Sequence, residues 1–129
     1  YVHMNSHFDH LGITARKNSV QLILEKAKTF GDLPVVFTAD MNVKEGSDNY
    51  KQFTESGYFY DTKYIAPDTM DYCTYHDTKP QKHQDDIIDY VMINDGFDAV
   101  SYKVVTAGVD GRFVSDHYPV YADIIFTKD

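Results

Sequence analysis

Residues 33–39 form a short apolar run centred on Val35, Val36 and Phe37, and a strand of that composition is buried on both faces. It demands cover above and below, which restricts the chain to a layered architecture. The run breaks off into Asp40-Met41-Asn42, placing polar side chains at the end of a buried strand, where loops carry function.

The rest of the chain supplies the layers. Over residues 14–30 the apolar positions Val20, Ile23, Leu24 and Ala27 recur at i, i+3, i+4 and i+7, which predicts an amphipathic helix with Thr14 as N-cap and Gly31 past its end. Arg16 lies on its apolar side and reads as an ion pair at the rim of the core. A second, shorter helix is expected over residues 47–56, with Ser47 as N-cap and Gly57 after it.

Residues 1–7 alternate as a strand, Val2 and Met4 on one side and His3, Asn5 and His7 on the other. Residues 87–93 and 97–105 read as two strands joined by Asn94-Asp95-Gly96, a hairpin signal. From Tyr118 the alternation of Tyr118, Val120, Ala122, Ile124 and Phe126 predicts a half-buried final strand. Residues 58–78 are aromatic and polar without a clear period, with only a weak strand at 72–75, and residues 78–86 read as a solvated charged loop. The sum is an α+β, layered α/β pattern dominated by sheet. Residues 1–129 show no internal repeat, low-complexity tract or linker.

Composition narrows the function. With 20 acids against 12 bases the net charge is -8, so the chain does not look like a tight sequence-independent nucleic-acid binder, which neutralises phosphates with Lys and Arg. An acidic balance does suit a divalent cation. The single cysteine, Cys73, excludes an internal disulfide and a cysteine-rich zinc site. No apolar run approaches membrane-spanning length. The chain opens directly in a strand, without Met or a polar leader, and reads as a piece of a longer protein, so its compartment stays open.

Polar residues collect at strand ends: His7, Asp40, Asn42, Asp89 and Asp116-His117. Asp40 and Asn42 are two apart, so extended geometry points both side chains the same way. An Asp can act as general base or cation ligand and an Asn amide can orient a phosphate oxygen, while the pair alone equally fits an Asx turn closing the strand. Asp89 is an acid inside the apolar stretch Ile87-Ile88-Asp89-Tyr90-Val91-Met92-Ile93 and needs a partner there. His117 is the natural candidate, since a carboxylate that fixes an imidazole tautomer serves structure and catalysis alike.

Taken together, Asn5-Ser6-His7-Phe8-Asp9-His10, Ala39-Asp40-Met41-Asn42, Ile88-Asp89-Tyr90 and Ser115-Asp116-His117-Tyr118-Pro119-Val120 resemble, in order and spacing, the C-terminal half of the endonuclease/exonuclease/phosphatase family. The resemblance implies half of a four-layer α/β/β/α sandwich, with mostly antiparallel sheet and two helices on its outer face. It implies metal-dependent hydrolysis of a phosphoester by direct attack of water, with Mg²⁺ (or Mn²⁺) as the expected cation. Asp40 would orient and deprotonate the water, and Asn42 would hold a phosphoryl oxygen. His117, oriented by Asp89, would stabilise phosphoryl charge, and His7 would contact the phosphate or assist the leaving group. Asp116 would serve the cation site. The family's N-terminal half normally contributes an early Asn and the Glu that binds the metal directly, so this chain alone is expected to be inactive. A lone half would also leave a sheet face that invites self-association or a companion chain.

Two rival readings compete. The first motif also resembles the H-x-H-x-D-H of metallo-β-lactamase-type binuclear zinc hydrolases, with Asn5 in place of the first His. Alternatively, the domain is a non-catalytic binding module on the same fold. His76 reads either as a substrate contact or as a plain loop residue. His10 reads as a turn residue, His3 as a buried structural histidine, and Asn5 as a partner for backbone groups beside the site. The substrate is left open among nucleic acid, phospholipid headgroup, sugar phosphate and nucleotide.

Overall fold

The computed structural model describes residues 1–127. Strand β1 (Val2–His7) leads into helix α1 (Ile13–Lys28), strand β2 (Val35–Asp40) and helix α2 (Asp48–Thr54). A two-residue strand β3 (Tyr60–Asp61) and a single helical turn α3 (Thr62–Ile65) follow, then a 3-10 turn at Pro80–Lys82. Strands β4 (Asp89–Ile93), β5 (Phe97–Val104) and β6 (Val120–Phe126) complete the chain. Two sheets result, a four-stranded one in the order β1-β2-β4-β3 and a two-stranded ribbon of β5 and β6. Among the strand pairings of the described residues, β1–β2 is parallel and the others are antiparallel.

The buried run is the centre of the larger sheet. Val35, Phe37 and Ala39 face the helices and pack with Val20 and Ala27 of α1, Tyr50 and Phe53 of α2, Phe59, and Met92 of β4. Phe37 stacks on Phe53 at 5.1 Å between ring centres and meets Phe59 at 5.8 Å. The alternate residue Val36, with Val91 and Ile93, faces the ribbon, where Phe97, Ala99, Val120, Ala122 and Ile124 meet it. The strand is therefore covered on both faces, by helices outside and by the ribbon inside.

The helices depart from expectation at their starts. Ser47 caps α2 as predicted, its hydroxyl accepting the Tyr50 N–H, and Gly57 follows at φ 66. Helix α1 has Gly12 rather than Thr14 as its N-cap, with no side-chain cap; instead Asp9 Oδ1 accepts the N–H groups of Leu11 and Gly12. The Arg16 guanidinium donates to the Asp9 carbonyl at 2.8 Å, so the expected ion pair is a hydrogen bond to backbone.

The hairpin expected at Asn94-Asp95-Gly96 is a crossover between sheets. Strand β4 pairs with β2 and β3, whereas β5 pairs with β6. The Asn94 side chain explains the turn: Oδ1 accepts the Val35 N–H at 2.8 Å and Nδ2 donates to the Leu33 carbonyl at 3.0 Å, fastening the turn to the start of β2. A Cβ on Gly96 would lie 2.6 Å from Pro34 Cα, so only glycine lets the chain pass there. Residues 72–75 are not a strand, apart from one bridge between Tyr75 and His117, and β3 and α3 lie in a stretch whose mixed composition gave no period.

Candidate active site

Strand register builds the site before any side chain is considered. His7 of β1 pairs with Asp40 of β2, and Asp40 pairs with Asp89 of β4, so the three lie in one row across neighbouring strands on the inner face. His117 arrives from the segment preceding β6. Tyr75 bridges to it, the Tyr118 N–H donates to the Thr74 carbonyl, and the N–H groups of His76 and Asp77 both donate to the Asp116 carbonyl. These bonds hold the Asp116-His117 step over the sheet row.

The side chains then close a network. His117 Nδ1 lies 2.8 Å from Asp89 Oδ2, and its Nε2 points at Asp40 Oδ2 from 3.8 Å. His7 Nε2 is 3.2 Å from that same Asp40 oxygen. The other Asp40 oxygen accepts the Asn42 N–H at 2.9 Å, an Asx turn that locks the carboxylate while leaving Oδ2 free to work between two imidazoles. Asn42 sits at φ 49, in the left-handed region that Asn tolerates, and donates one amide hydrogen to the Phe8 carbonyl at 2.7 Å. Its second amide hydrogen and its carbonyl remain available to the cleft. That cleft has a volume of about 710 Å³ and is lined by His7, Asp40, Asn42, Asp89, Asp116 and His117, with His10, Tyr75 and Ile88 at its edges.

The electrostatics follow from burial and proximity. Burial works against charging the His117 ring, but its hydrogen bond to Asp89 and the charges of Asp89, Asp40 and Asp116 outweigh it and raise the imidazole above its ordinary 6.5. Burial pushes the Asp89 carboxyl up, more than its hydrogen bonds from Thr74 and His117 bring it down, and the Asp40 charge adds to the rise. His117 thereby favours its cation in a pocket of carboxylates, the charge a phosphoryl oxygen calls for.

Ligand atoms of Asp40, Asp89 and His117 lie within 4.8 Å of one another, the one metal-capable group of three among the described residues. With Asp116 on the same cleft, the donors are predominantly carboxylate oxygens, which fits a hard cation such as Mg²⁺ or Mn²⁺. They do not make a complete octahedral set, because Asp89 and Asp40 are already committed to His117 and the Asx turn. The two-zinc reading fares worse: Asp9 of the Asn5-x-His7-x-Asp9-His10 pattern spends Oδ1 on the turn before α1, and its carboxyl is held below the ordinary range by those two N–H groups.

Several expectations change. His76, expected either as a substrate contact or as a plain loop residue, is fully buried between Phe113 at 4.3 Å and Tyr118 at 4.1 Å, its Nδ1 accepting the Thr78 N–H, and it does not line the cleft. Its backbone and ring brace the loop above it instead. His10 does reach the edge of the cleft. His3 is exposed, bonded through Nε2 to Thr38 Oγ1 at 2.8 Å, because the ribbon facing β1 has only two strands. Asn5 donates to the Thr38 carbonyl and hydroxyl, as expected of a residue that satisfies groups beside the site. Thr74 and Tyr75 were not foreseen. Tyr75 meets His117 edge-on at 5.1 Å, and neither residue carries a spacing or charge that marks it in the sequence.

No family model matches the chain, and no curated protein matches it in sequence. Solved structures do. A mannosyl-6-phosphatase of Bacteroides thetaiotaomicron is 29% identical with a TM-score of 0.86, over 96% of this chain and 51% of that one. An endonuclease/exonuclease/phosphatase family protein from the same organism is 28% identical with a TM-score of 0.87, over 98% of this chain and 50% of that one. Another from Bacteroides vulgatus is 32% identical with a TM-score of 0.82, over 94% of this chain and 48% of that one. The chain thus spans about half the length of the structures it matches. Its layered sheets, its four motifs in order and these likenesses agree: the chain has the fold of the C-terminal half of the endonuclease/exonuclease/phosphatase family proteins it resembles.

Proposed function

We propose that this chain forms one half of a metal-dependent phosphoesterase that hydrolyses a phosphate ester by direct attack of water. The observation that carries the proposal is Asp40 Oδ2, set between His7 and His117 at 3.2 and 3.8 Å while Asp89 fixes the far nitrogen of His117. The likeness to a sugar phosphatase and to two family members supports phosphoesterase chemistry in general.

Phosphoryl transfer needs a base for the incoming water, positive charge on the non-bridging oxygens and help for the leaving oxygen. Asp40 is the base: Oδ1 is pinned by the Asn42 N–H, so Oδ2 is aimed into the cleft at no further cost in order. With Asp89 accepting from Nδ1, His117 presents Nε2 to a phosphoryl oxygen and holds positive charge there. The free amide hydrogen of Asn42 steadies a second oxygen, and the exposed His7 ring contacts the phosphate or the leaving group. Asp116, with the carboxylates behind it, would hold Mg²⁺ or Mn²⁺, which when bound neutralises charge on the phosphate. The complementary half of the fold completes that ligand set, so the isolated chain lacks activity.

Hydrolysis of p-nitrophenyl phosphate and bis-p-nitrophenyl phosphate, with and without Mg²⁺, tests this reading. The full-length protein carrying both halves turns over at least one of them with Mg²⁺, and Asp40→Asn or His117→Ala lowers kcat by roughly 10²- to 10⁴-fold. The chain alone shows no turnover. A full-length protein inactive on both substrates, variants with unchanged kcat, or a chain as active as the full-length protein would each overturn it.

A further inference from the structure

Past Asp40 the chain leaving β2 runs beside the chain entering β4, the Met41 N–H donating to the Ile88 carbonyl at 2.9 Å. Just beyond, three charged or titratable side chains meet: Lys44 Nζ bonds Asp86 Oδ1, and His83 Nδ1 lies 2.6 Å from Asp86 Oδ2. No step of the hydrolysis uses them, yet they stand directly outside the cleft wall. Asn42 and Ile88 line the cleft two positions from Lys44 and Asp86. Tyr75 lines it too, and its ring meets His117 edge-on at 5.1 Å and His83 edge-on at 5.0 Å. The Asp86 carbonyl accepts the Tyr75 N–H at 3.0 Å, so this wall and the trio behind it are one piece.

The chemistry of the trio selects its ligand. Burial pushes the Asp86 carboxyl up, but the bonds from Lys44 and His83 outweigh it and hold it below the ordinary range, so Asp86 is ionised with both oxygens in use. A carboxylate cannot donate, so His83 Nδ1 carries the hydrogen and the neutral ring keeps a lone pair at Nε2. Lys44, whose side chain is 62% exposed, retains two N–H donors beyond the one given to Asp86. The trio therefore sets donors beside an acceptor, its one positive charge cancelled by one negative. An anion needs donors alone, whereas a hydroxyl accepts and donates at once and matches both. We propose that Lys44 and His83, held in place by Asp86, form a subsite for the alcohol part of the substrate that recognises a hydroxyl-bearing ring, so that the phosphoester is a sugar phosphate. Tyr75, between this subsite and His117, is the apolar wall along which such a ring reaches from the phosphoryl group to the trio.

The assignment rests on the phosphoesterase reading, and binding tests it apart from turnover. In histidine side-chain ¹H–¹⁵N spectra of the full-length wild type at about pH 8, where an ordinary imidazole is neutral, glucose 6-phosphate or ribose 5-phosphate is expected to shift the His83 ring signals, and inorganic phosphate to leave them in place. In turnover, the readout is the ratio of kcat/KM for glucose 6-phosphate to that for p-nitrophenyl phosphate, whose ring bears no hydroxyl. That ratio is expected to fall roughly 10-fold in Lys44→Met and roughly 3- to 10-fold in His83→Phe, through KM, the size of one lost hydrogen bond to a charged and to a neutral group. Lys44 is exposed and phenylalanine keeps a ring against Tyr75, so both variants are expected to fold. A ratio within about twofold of wild type in both variants, a His83 ring that neither sugar phosphate shifts, or one that inorganic phosphate shifts equally would overturn the assignment. So would a roughly tenfold preference for glucose 1,6-bisphosphate over glucose 6-phosphate that Lys44→Met abolishes, because the trio then selects an anion. A wild type that turns over neither substrate removes the proposed function, and the His83 shifts alone then decide the subsite.

Discussion

On the outer face of the four-stranded sheet Val35, Phe37, Ala39 and Met92 lie under helices α1 and α2, none more than 5% exposed. On the inner face His3, Asn5 and His7 of β1 stand exposed beside a two-stranded ribbon that covers only Val36, Val91 and Ile93. Each face also carries an acid, buried outside and half-buried inside. Asp61 outside is sealed by the Tyr50 hydroxyl at 2.9 Å and the Lys63 N–H at 2.9 Å, all donors from the fold itself. Asp89 inside donates its backbone N–H to the Thr74 hydroxyl and turns its carboxylate to His117, which opens on the cleft. One sheet thus carries a finished structural face and an unfinished working face, and the difference between the two acids lies in whether the last partner can meet solvent and substrate.

The comparison breaks most visibly at Phe53. Its ring is fully buried between Phe37 and Phe59, so Phe53→Ala is expected to cost about 3–5 kcal/mol in urea unfolding. An inner-face truncation such as Val120→Ala, at a half-buried position, is expected to cost less than half as much. Equal losses on the two faces would show that the ribbon covers the inner face as completely as the helices cover the outer.

Asp61 gives the next largest effect and sharpens the contrast between the acids. Burial pushes its carboxyl up to about 6, with the Lys63 N–H and Tyr50 hydroxyl bonds only partly offsetting it. A carboxyl raised in the folded state favours folding fully below its ordinary 3.8 and loses that contribution as pH rises through about 6. The stability of the wild type relative to Asp61→Asn therefore falls between pH 4 and pH 7, by up to about 3 kcal/mol. Denaturant titrations of both proteins across that window provide the check, and a difference that stays flat with pH would mean Asp61 is charged at no cost.

The outer face was legible in the sequence because its physics is periodic. The 3.6-residue stripe of α1, the Ser47 cap and the apolar run of β2 each state their structure locally. The row His7, Asp40, Asp89 was legible as a set of polar residues at strand ends, since alternation sorts faces, but its register across strands was not. Thr74 was illegible for a different reason: a small hydroxyl residue in an aperiodic segment does its work through hydrogen bonds to residues 12 and more positions away, which no local pattern encodes. Asn94-Asp95-Gly96 misled because a hairpin signal specifies a tight turn and not which sheet the next strand joins. The deciding contacts, Asn94 to Val35 and Leu33 and Gly96 against Pro34, are long-range.

The smallest expected effect on stability carries the clearest statement about the inner face. Tyr1, His3, Val36, Phe97, Ile124 and Phe126 border an apolar gap of about 470 Å³ between the sheets, and Phe126 is 57% exposed there. Apolar surface of this kind, on a chain spanning half the length of its relatives, calls for a cover, and for the chain alone the available cover is another copy. Sedimentation velocity of the isolated chain is therefore expected to show concentration-dependent self-association. Phe126→Lys sets a charge into the contact and shifts the distribution toward monomer, while unfolding free energy drops by only about 1 kcal/mol for the lost ring contacts with Phe97 and Tyr1. In a full-length protein whose complementary half covered this face, the same substitution is expected to destabilise by more than it does in the isolated chain, because there the lysine would be buried. If the isolated chain is monomeric at every concentration and Phe126→Lys costs the same in both settings, the inner face is complete as it stands and the contrast with the outer face fails.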